Sequence, residues 1–174
     1  MTSAIGRDLL ANSLVDQVHV SKAFDQWVMV CDQAFLDAEG RFAQLSDIPR
    51  LIEYQKLYNI ERQVNENPDW SEVIRHRKII VHEVDRMIVS IVRFGIETDR
   101  LVTLGGTFTF PWLRRKGYAE QVLKFAVNHI VGSGRIAHLI VDQDNLSAVE
   151  LYRRLGFTCR GTAYVAYLEY DESI

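Results

Sequence analysis

Apolar positions in this chain change period several times, and each change predicts an element. Residues 41–63 read as a short extended stretch followed by a helix, with Ser46 as its N-cap and Pro49 in the first turn, where a missing N–H costs little. NENPDW, residues 65–70, is a loop, and SEVIRHR gives one or two helical turns. KIIVHEV is rich in β-branched residues and reads as a strand, Asp85 and Arg86 form a tight turn, and MIVSIVRF returns as its hairpin partner. After the ETDR turn comes a third strand, RLVTLGGTFTF, whose Gly105 and Gly106 predict a bulge or a close backbone approach.

Beyond Pro111 the period lengthens. Ala119, Val122, Leu123, Ala126, Val127 and Ile130 fall on one helical face, and Gly132 and Gly134 end it. RIAHLIVD is an apolar run of strand length suited to the middle of a sheet. NLSAVELYRRLGF then places Ser147 and Glu150 at capping-box spacing, an apolar stripe of Ala148, Leu151, Tyr152 and Leu155, and Gly156 at the C-terminal turn. AYVAYLEY closes the chain as a strand. The first 40 residues carry weaker signals: a helix over RDLLANSLVDQV and a strand over DQWVMVCDQ. Three consecutive antiparallel strands followed by a strand-helix-strand crossover make a mixed sheet with helices on its faces, an α+β architecture.

The 174 residues suit one domain with a full core, and 48% hydrophobic with 25% charged residues is the balance of a soluble globular protein. A net charge of -3 and a pI of about 5.9 leave no overall basic field for a polyanion, which argues against nucleic acid as the partner. Cys31 and Cys159 have no metal-ligand spacing and read as buried small hydrophobes in a reducing compartment. The start of the chain lacks the basic and apolar regions of a signal peptide, and no apolar run reaches the ~20 residues of a membrane span. A cytoplasmic protein with no membrane partner is expected.

One stretch conflicts with simple electrostatics. Arg114, Arg115 and Lys116 crowd the start of the helix after Pro111, where the N-terminus already carries positive potential. An anion would resolve the conflict: the first N–H groups of a helix lack intrahelical partners, and Gly117 leaves the backbone open to a phosphate. The plain alternative is a solvated loop. The segment fits neither a nucleotide P-loop nor the dinucleotide GxGxxG pattern.

RRKGYA, residues 114–119, resembles the [Q/R]-x-x-G-x-[G/A] signature of the GNAT superfamily of acyl-CoA-dependent N-acyltransferases, with Arg114, Gly117 and Ala119 at its fixed positions. GGTFTFP resembles the family's fourth strand, ending in a proline three residues before the motif. DQDNLSAVELYRRLGF resembles the segment after the fifth strand, where an asparagine (here Asn145) precedes a tyrosine (here Tyr152) by seven residues. The resemblance is firm over residues 78–160 and fair from 41, and its nearest subtype is glycine-N-acyltransferase-like. It departs from the pattern at Trp112 and Leu113, which stand where acidic or tyrosyl residues are frequent.

The resemblance implies the GNAT fold, a central mixed, mostly antiparallel sheet flanked by helices with splayed fourth and fifth strands. It implies a domain over 41–174 and leaves 1–40 as an extension that covers the acceptor cleft or forms a dimer contact. The N–H groups of Arg115, Lys116, Gly117, Tyr118, Ala119 and Glu120 would cradle the pyrophosphate of acetyl-CoA. Its pantetheine would run along Thr107, Phe108 and Thr109, pairing in the manner of an added strand, with backbone N–H groups there facing the oxyanion of a tetrahedral intermediate. Arg114 and Asn145 complete the cofactor set. Tyr152, otherwise a core tyrosine, would protonate the departing thiolate, since a phenol of pKa ~10 keeps its proton at neutral pH. No metal is implied.

The general base is the least defined role. Glu83 is the first choice, with His82, Glu97, Asp99, Asp142 and Asp144 as other candidates, although an ion-paired carboxylate or a packed histidine is the ordinary state of such residues. The acceptor is a small-molecule amine or a protein amine, and homodimers are common in similar proteins. Two other readings keep part of this picture: an acyl-CoA-binding sensor without catalysis, and an interaction domain whose cationic cluster binds an acidic partner.

Overall fold

The computed structural model describes residues 18–170. Its strands are β1 (Val18–Cys31), β2 (Arg41–Phe42), β3 (Ile79–Val84), β4 (Met87–Glu97), β5 (Leu101–Thr109), β6 (Ile136–Asp142) and β7 (Thr158–Tyr170). Its helices are α1 (Ile48–Arg62), α2 (Trp70–Arg75), α3 (Tyr118–Gly132) and α4 (Leu146–Arg154), with 3-10 turns over Leu45–Asp47 and Pro111–Leu113. The expected helix over residues 7–18 lies outside the described residues except for Val18, which opens β1. No helix among the described residues is long and apolar enough to cross a membrane.

Two compact units divide the chain: residues 31–138, and the ends, of which 18–30 and 139–170 are described. In the unit 31–138 the strands run β2-β3-β4-β5, each pair antiparallel. Asp85 and Arg86 make the β3–β4 turn with positive φ at both positions, the two-residue hairpin geometry whose twist matches the strands. The start of β6 follows β5 after the crossover through α3, so the two run parallel; Ile136 N–H donates to the Arg100 carbonyl at 2.9 Å. One face of this sheet carries Ile79, Val81, Ile91 and Phe108, which form a core with Leu51 and Tyr54 of α1 and Trp70 of α2. The amphipathic α3 buries Val122, Leu123, Ala126, Val127 and Ile130, the stripe read from the sequence.

Residues 32–40 also belong to this unit and are strapped to α3. Asn128 clasps the backbone of Phe35 from both sides, at 2.7 and 2.8 Å, and Lys124 pairs with Asp37 at 3.0 Å. Gly40 is required there, because a Cβ would stand 2.9 Å from the ring of Phe125.

In the other unit the order is β6-β1-β7, with β1 antiparallel to β7 from Val18↔Tyr170 to Val30↔Thr158. Residues 18–31 are therefore a strand bonded on both sides. The weak alternation of DQWVMVCDQ hides an interior strand whose partner lies more than 125 residues away, as Trp27↔Thr162 shows.

Three expectations are corrected. Ser46 does not cap α1: a 3-10 turn occupies 45–47, and Asp47 precedes the helix while its carboxylate accepts the Gln44 N–H at 2.7 Å. Ser147 does not cap α4; Asn145 does, accepting the Ala148 N–H at 3.3 Å, while Ser147 Oγ donates to the same Asn145 oxygen. Cys31 is buried, but Cys159 is exposed, because it falls on the outermost strand β7 among exposed neighbours.

Candidate active site

The cationic loop follows directly from β5. Phe110 is fully buried and anchors the strand end, and Pro111–Leu113 form a 3-10 turn that brings the chain to Arg114. Arg115 has φ 61 and Gly117 φ 82, two left-handed residues within three positions. Left-handed backbone at a bulky arginine costs of order 1–3 kcal/mol and is a recognised mark of functional loops. Gly117 is the N-cap of α3 and offers no side chain to it, and the first helical bond is Gln121 N–H to the Gly117 carbonyl at 3.2 Å. The N–H groups of Tyr118, Ala119 and Glu120 thus open the helix without a capping side chain. Nothing lies within 4 Å of where a Gly117 Cβ would sit, so the space before the helix is open.

The three cations are not equivalent. Arg114 Nε donates to the Thr109 carbonyl at 3.0 Å, its guanidinium pairs with Glu61 of α1, and it lies 5.5 Å from the Phe108 ring centroid. It fastens the loop to β5 and α1. Arg115 and Lys116 are exposed and form no ion pair among the described residues. An open, uncapped helix start with two uncommitted cations fits a phosphate group.

The end of β5 runs beside the loop. Ser90 of β4 faces Thr109, and Phe110 N–H donates to the Val89 carbonyl at 3.4 Å, so the backbone groups of Thr109 point away from β4. The Phe108 carbonyl turns the other way, accepting from Ser90 Oγ at 3.0 Å, and its ring is core. Ser90 Oγ also bonds Thr109 Oγ1 at 2.9 Å. Of the predicted trio, Thr109 turns its backbone groups away from β4, with its carbonyl taken by Arg114, Phe108 serves packing, and Thr107 lies in an irregularity of the β4–β5 register.

His82, opposite Ser90 on β3, is buried with its ring 5.5 Å from that of Tyr118 in the first turn of α3, and 3.8 Å from the Glu39 carboxylate. Burial pushes its pKa down, partly offset by Glu39. His129 stacks with Phe94 and meets Phe42 edge-on, and His138 bonds Thr103 at 3.1 Å, so both are packed residues. Glu83 is clamped: Arg41 Nε binds it at 3.0 Å, and the same guanidinium grips Asp47 at 2.7 Å. Glu97 is held between Lys78 and Arg135, which lower its pKa. Lys124 pairs with Glu120 at 3.0 Å, orienting that side chain along the helix rather than over its start.

Asn145 and Tyr152 belong to the unit containing residues 139–170. Asn145 is a helix cap there, and Tyr152 is 9% exposed with its ring 5.6 Å from Phe157. Asp142 is buried and accepts from Gln26 at 2.7 Å.

Sequence reading missed Tyr54, Ser90 and Arg93, which surround β5. Leu51, Tyr54, Gln55 and Tyr58 fall at helical spacing, and polar groups on that inward face, two phenols and an amide, were the available signal. Trp112, where the sequence departs from the family pattern, is 58% exposed and leans on Phe110 at 5.5 Å.

The sequence profile described as the acetyltransferase (GNAT) family matches residues 44–157 of the 174. A search of curated proteins returns no significant match. Among solved structures, a GNAT-family protein from Novosphingobium aromaticivorans is similar over 90% of this chain and 69% of its own, with TM-score 0.71 and 19% identity. A GCN5-related N-acetyltransferase from Sphaerobacter thermophilus has TM-score 0.62 and 20% identity over 98% of this chain and 56% of its own. A Clostridium acetobutylicum protein solved with acetyl-CoA has TM-score 0.53 and 18% identity over 69% of this chain and 89% of its own. This chain thus spans little more than half the length of the Sphaerobacter protein.

Proposed function

The chain belongs to the acetyltransferase (GNAT) family, and from that membership we propose that it transfers the acetyl group of acetyl-CoA to a primary amine. The observation that carries the reading is the open N-terminus of α3, with left-handed Gly117, no capping side chain, and Arg115 and Lys116 exposed without an ion pair among the described residues. A pyrophosphate is the dianion such a helix start holds, and a thioester on the same molecule supplies the activated acyl group.

In this reading the backbone of residues 115–120 binds the phosphates. Arg114 acts through structure, fixing where the loop leaves β5. The backbone along Thr107, Phe108 and Thr109 is proposed to lie beside the pantetheine arm, with the Thr109 N–H, which points away from β4, among the groups that meet its amides in a strand-like pairing. The neutral amine attacks the thioester carbonyl directly, and a β5 N–H takes the charge that develops on the carbonyl oxygen. The new C–N bond forms, the C–S bond breaks, and the proton from the attacking nitrogen passes to solvent, which reprotonates the acid. Tyr152 is the proposed acid that returns a proton to the leaving thiolate, as its place in the family pattern suggests. Glu83 is proposed as a clamp, since a carboxylate gripped by Arg41 must leave its partner before it can take a proton.

The test is calorimetry of the purified chain with acetyl-CoA and CoA, joined to thiol release over a panel of small amines and peptide N-termini. Binding that Gly117→Ala weakens at least tenfold, with thiol release on some amine, is the expected result. Binding without release on any amine would make the chain an acyl-CoA sensor. No binding at high micromolar acetyl-CoA would remove both and leave the acidic-partner reading.

A further inference from the structure

β5 does not run smoothly beside β4. Arg93 faces Gly105 and Ile91 faces Phe108, so Val92 alone opposes both Gly106 and Thr107, a β-bulge. Gly106 has φ +58, and a Cβ on it would stand 2.9 Å from Tyr54 Oη and 3.0 Å from Arg93 Cδ. The bulge is thus closed against a side chain from α1 and another from β4, and only glycine fits.

Tyr54 is fully buried, and its hydroxyl donates to the Gly106 carbonyl at 3.2 Å. Its ring is wedged among Phe108 at 5.4 Å, Tyr58 at 5.6 Å and Trp70 at 5.9 Å. Arg93, beside the same bulge, is tied to Glu66 at 2.8 Å. Burial raises the Tyr54 hydroxyl pKa, so it remains a donor at any physiological pH.

The Gly106 carbonyl and the Thr107 N–H belong to one trans peptide plane and point in opposite directions. Holding the carbonyl toward α1 therefore fixes the N–H away from α1. We propose that Tyr54 is a positioning residue for acyl transfer: by gripping the Gly106 carbonyl it aims the Thr107 N–H at the thioester carbonyl of the acyl donor. The inference rests on the acetyl-CoA reading above and names the residue that sets its oxyanion donor. Without the grip a bulged peptide is free to rotate, and a donor that must be in place before charge develops loses its value.

The experiment uses the full chain and acetyl-CoA labelled with carbon-13 at the thioester carbonyl, comparing wild type with Tyr54→Phe and, as control, Tyr58→Phe. Infrared difference spectra report the bound carbonyl stretch, and calorimetry reports Kd. Expected are a lowered stretch in wild type and Tyr58→Phe, its loss in Tyr54→Phe, a Kd within about threefold, and thiol release slowed by about tenfold or more. A lowered stretch that survives Tyr54→Phe, or a loss confined to Kd, overturns the inference alone. Absence of acetyl-CoA binding by wild type overturns the acetyl-CoA reading with it. Should Tyr54→Phe not fold, 3-fluorotyrosine at position 54 keeps the ring and strengthens the donor. A further lowered stretch then supports the inference and an unchanged one overturns it.

Discussion

Arg114 and Thr109 are joined by a bond of 3.0 Å from the guanidinium Nε to the backbone carbonyl, so the first cation of the loop is a fastener of β5 rather than free charge. The same side chain pairs with Glu61, which draws α1 into the contact.

That division of labour separates three neighbouring substitutions. Arg114→Ala loses a charged hydrogen bond and a half-exposed ion pair, for about 1 kcal/mol of stability. Arg115→Ala and Lys116→Ala leave stability within about 0.5 kcal/mol, because both are exposed and neither forms an ion pair among the described residues. Both weaken acetyl-CoA binding, and the loss shrinks at high salt. Thermal melts and calorimetry at two salt concentrations check the pattern; equal destabilisation by all three would contradict it.

Two glycines with positive φ differ in their surroundings. Gly117→Ala meets no atom within 4 Å and pays only the left-handed backbone, about 1 kcal/mol. Gly106→Ala adds contacts of 2.9 and 3.0 Å with Tyr54 and Arg93, and should cost clearly more. Urea unfolding orders the two; a larger loss at Gly117 would refute the account of the bulge.

At Asn145 and Tyr152 stability and rate should part. Asn145→Ala removes the cap of α4 and costs about 1 kcal/mol. Tyr152→Phe keeps the ring against Phe157 and removes the proposed acid, so thiol release slows while the Kd for acetyl-CoA holds. An unchanged rate would withdraw Tyr152 from the chemistry.

His82, His129 and His138 all have pKa values lowered, chiefly by burial. The unfolded chain therefore takes up protons at higher pH than the folded one, and stability falls as pH drops below the ordinary histidine value of 6.5. Above that value these groups contribute no slope. Urea midpoints at about pH 5, 6 and 7.5 test this, and His82→Gln should flatten the acid limb. A midpoint that rises on acidification would reverse the assignment.

Much of the frame was legible along the chain because it rests on local periodicity. Ile79–Val84, Asp85 and Arg86 announce a hairpin, and the α3 stripe and Gly117 announce the helix and its open start. The cationic turn before α3 needed only neighbours in sequence, so RRKGYA carried it. Side-chain commitments were not legible. That Arg114 is spent on Thr109 and Glu61, Glu83 on Arg41, and Asn145 on Ala148 depends on distances between segments up to 53 residues apart. The same holds for β1, whose place beside β7 rests on pairing across most of the chain, and for Tyr54 against Gly106, 52 residues on. Sequence by itself determined that uncapped N–H groups and positive charge meet at the start of α3, since both are local properties; tertiary structure alone decided which of those cations is tied to β5 and α1 and which hydroxyl meets the bulge, because long-range packing selects the partners.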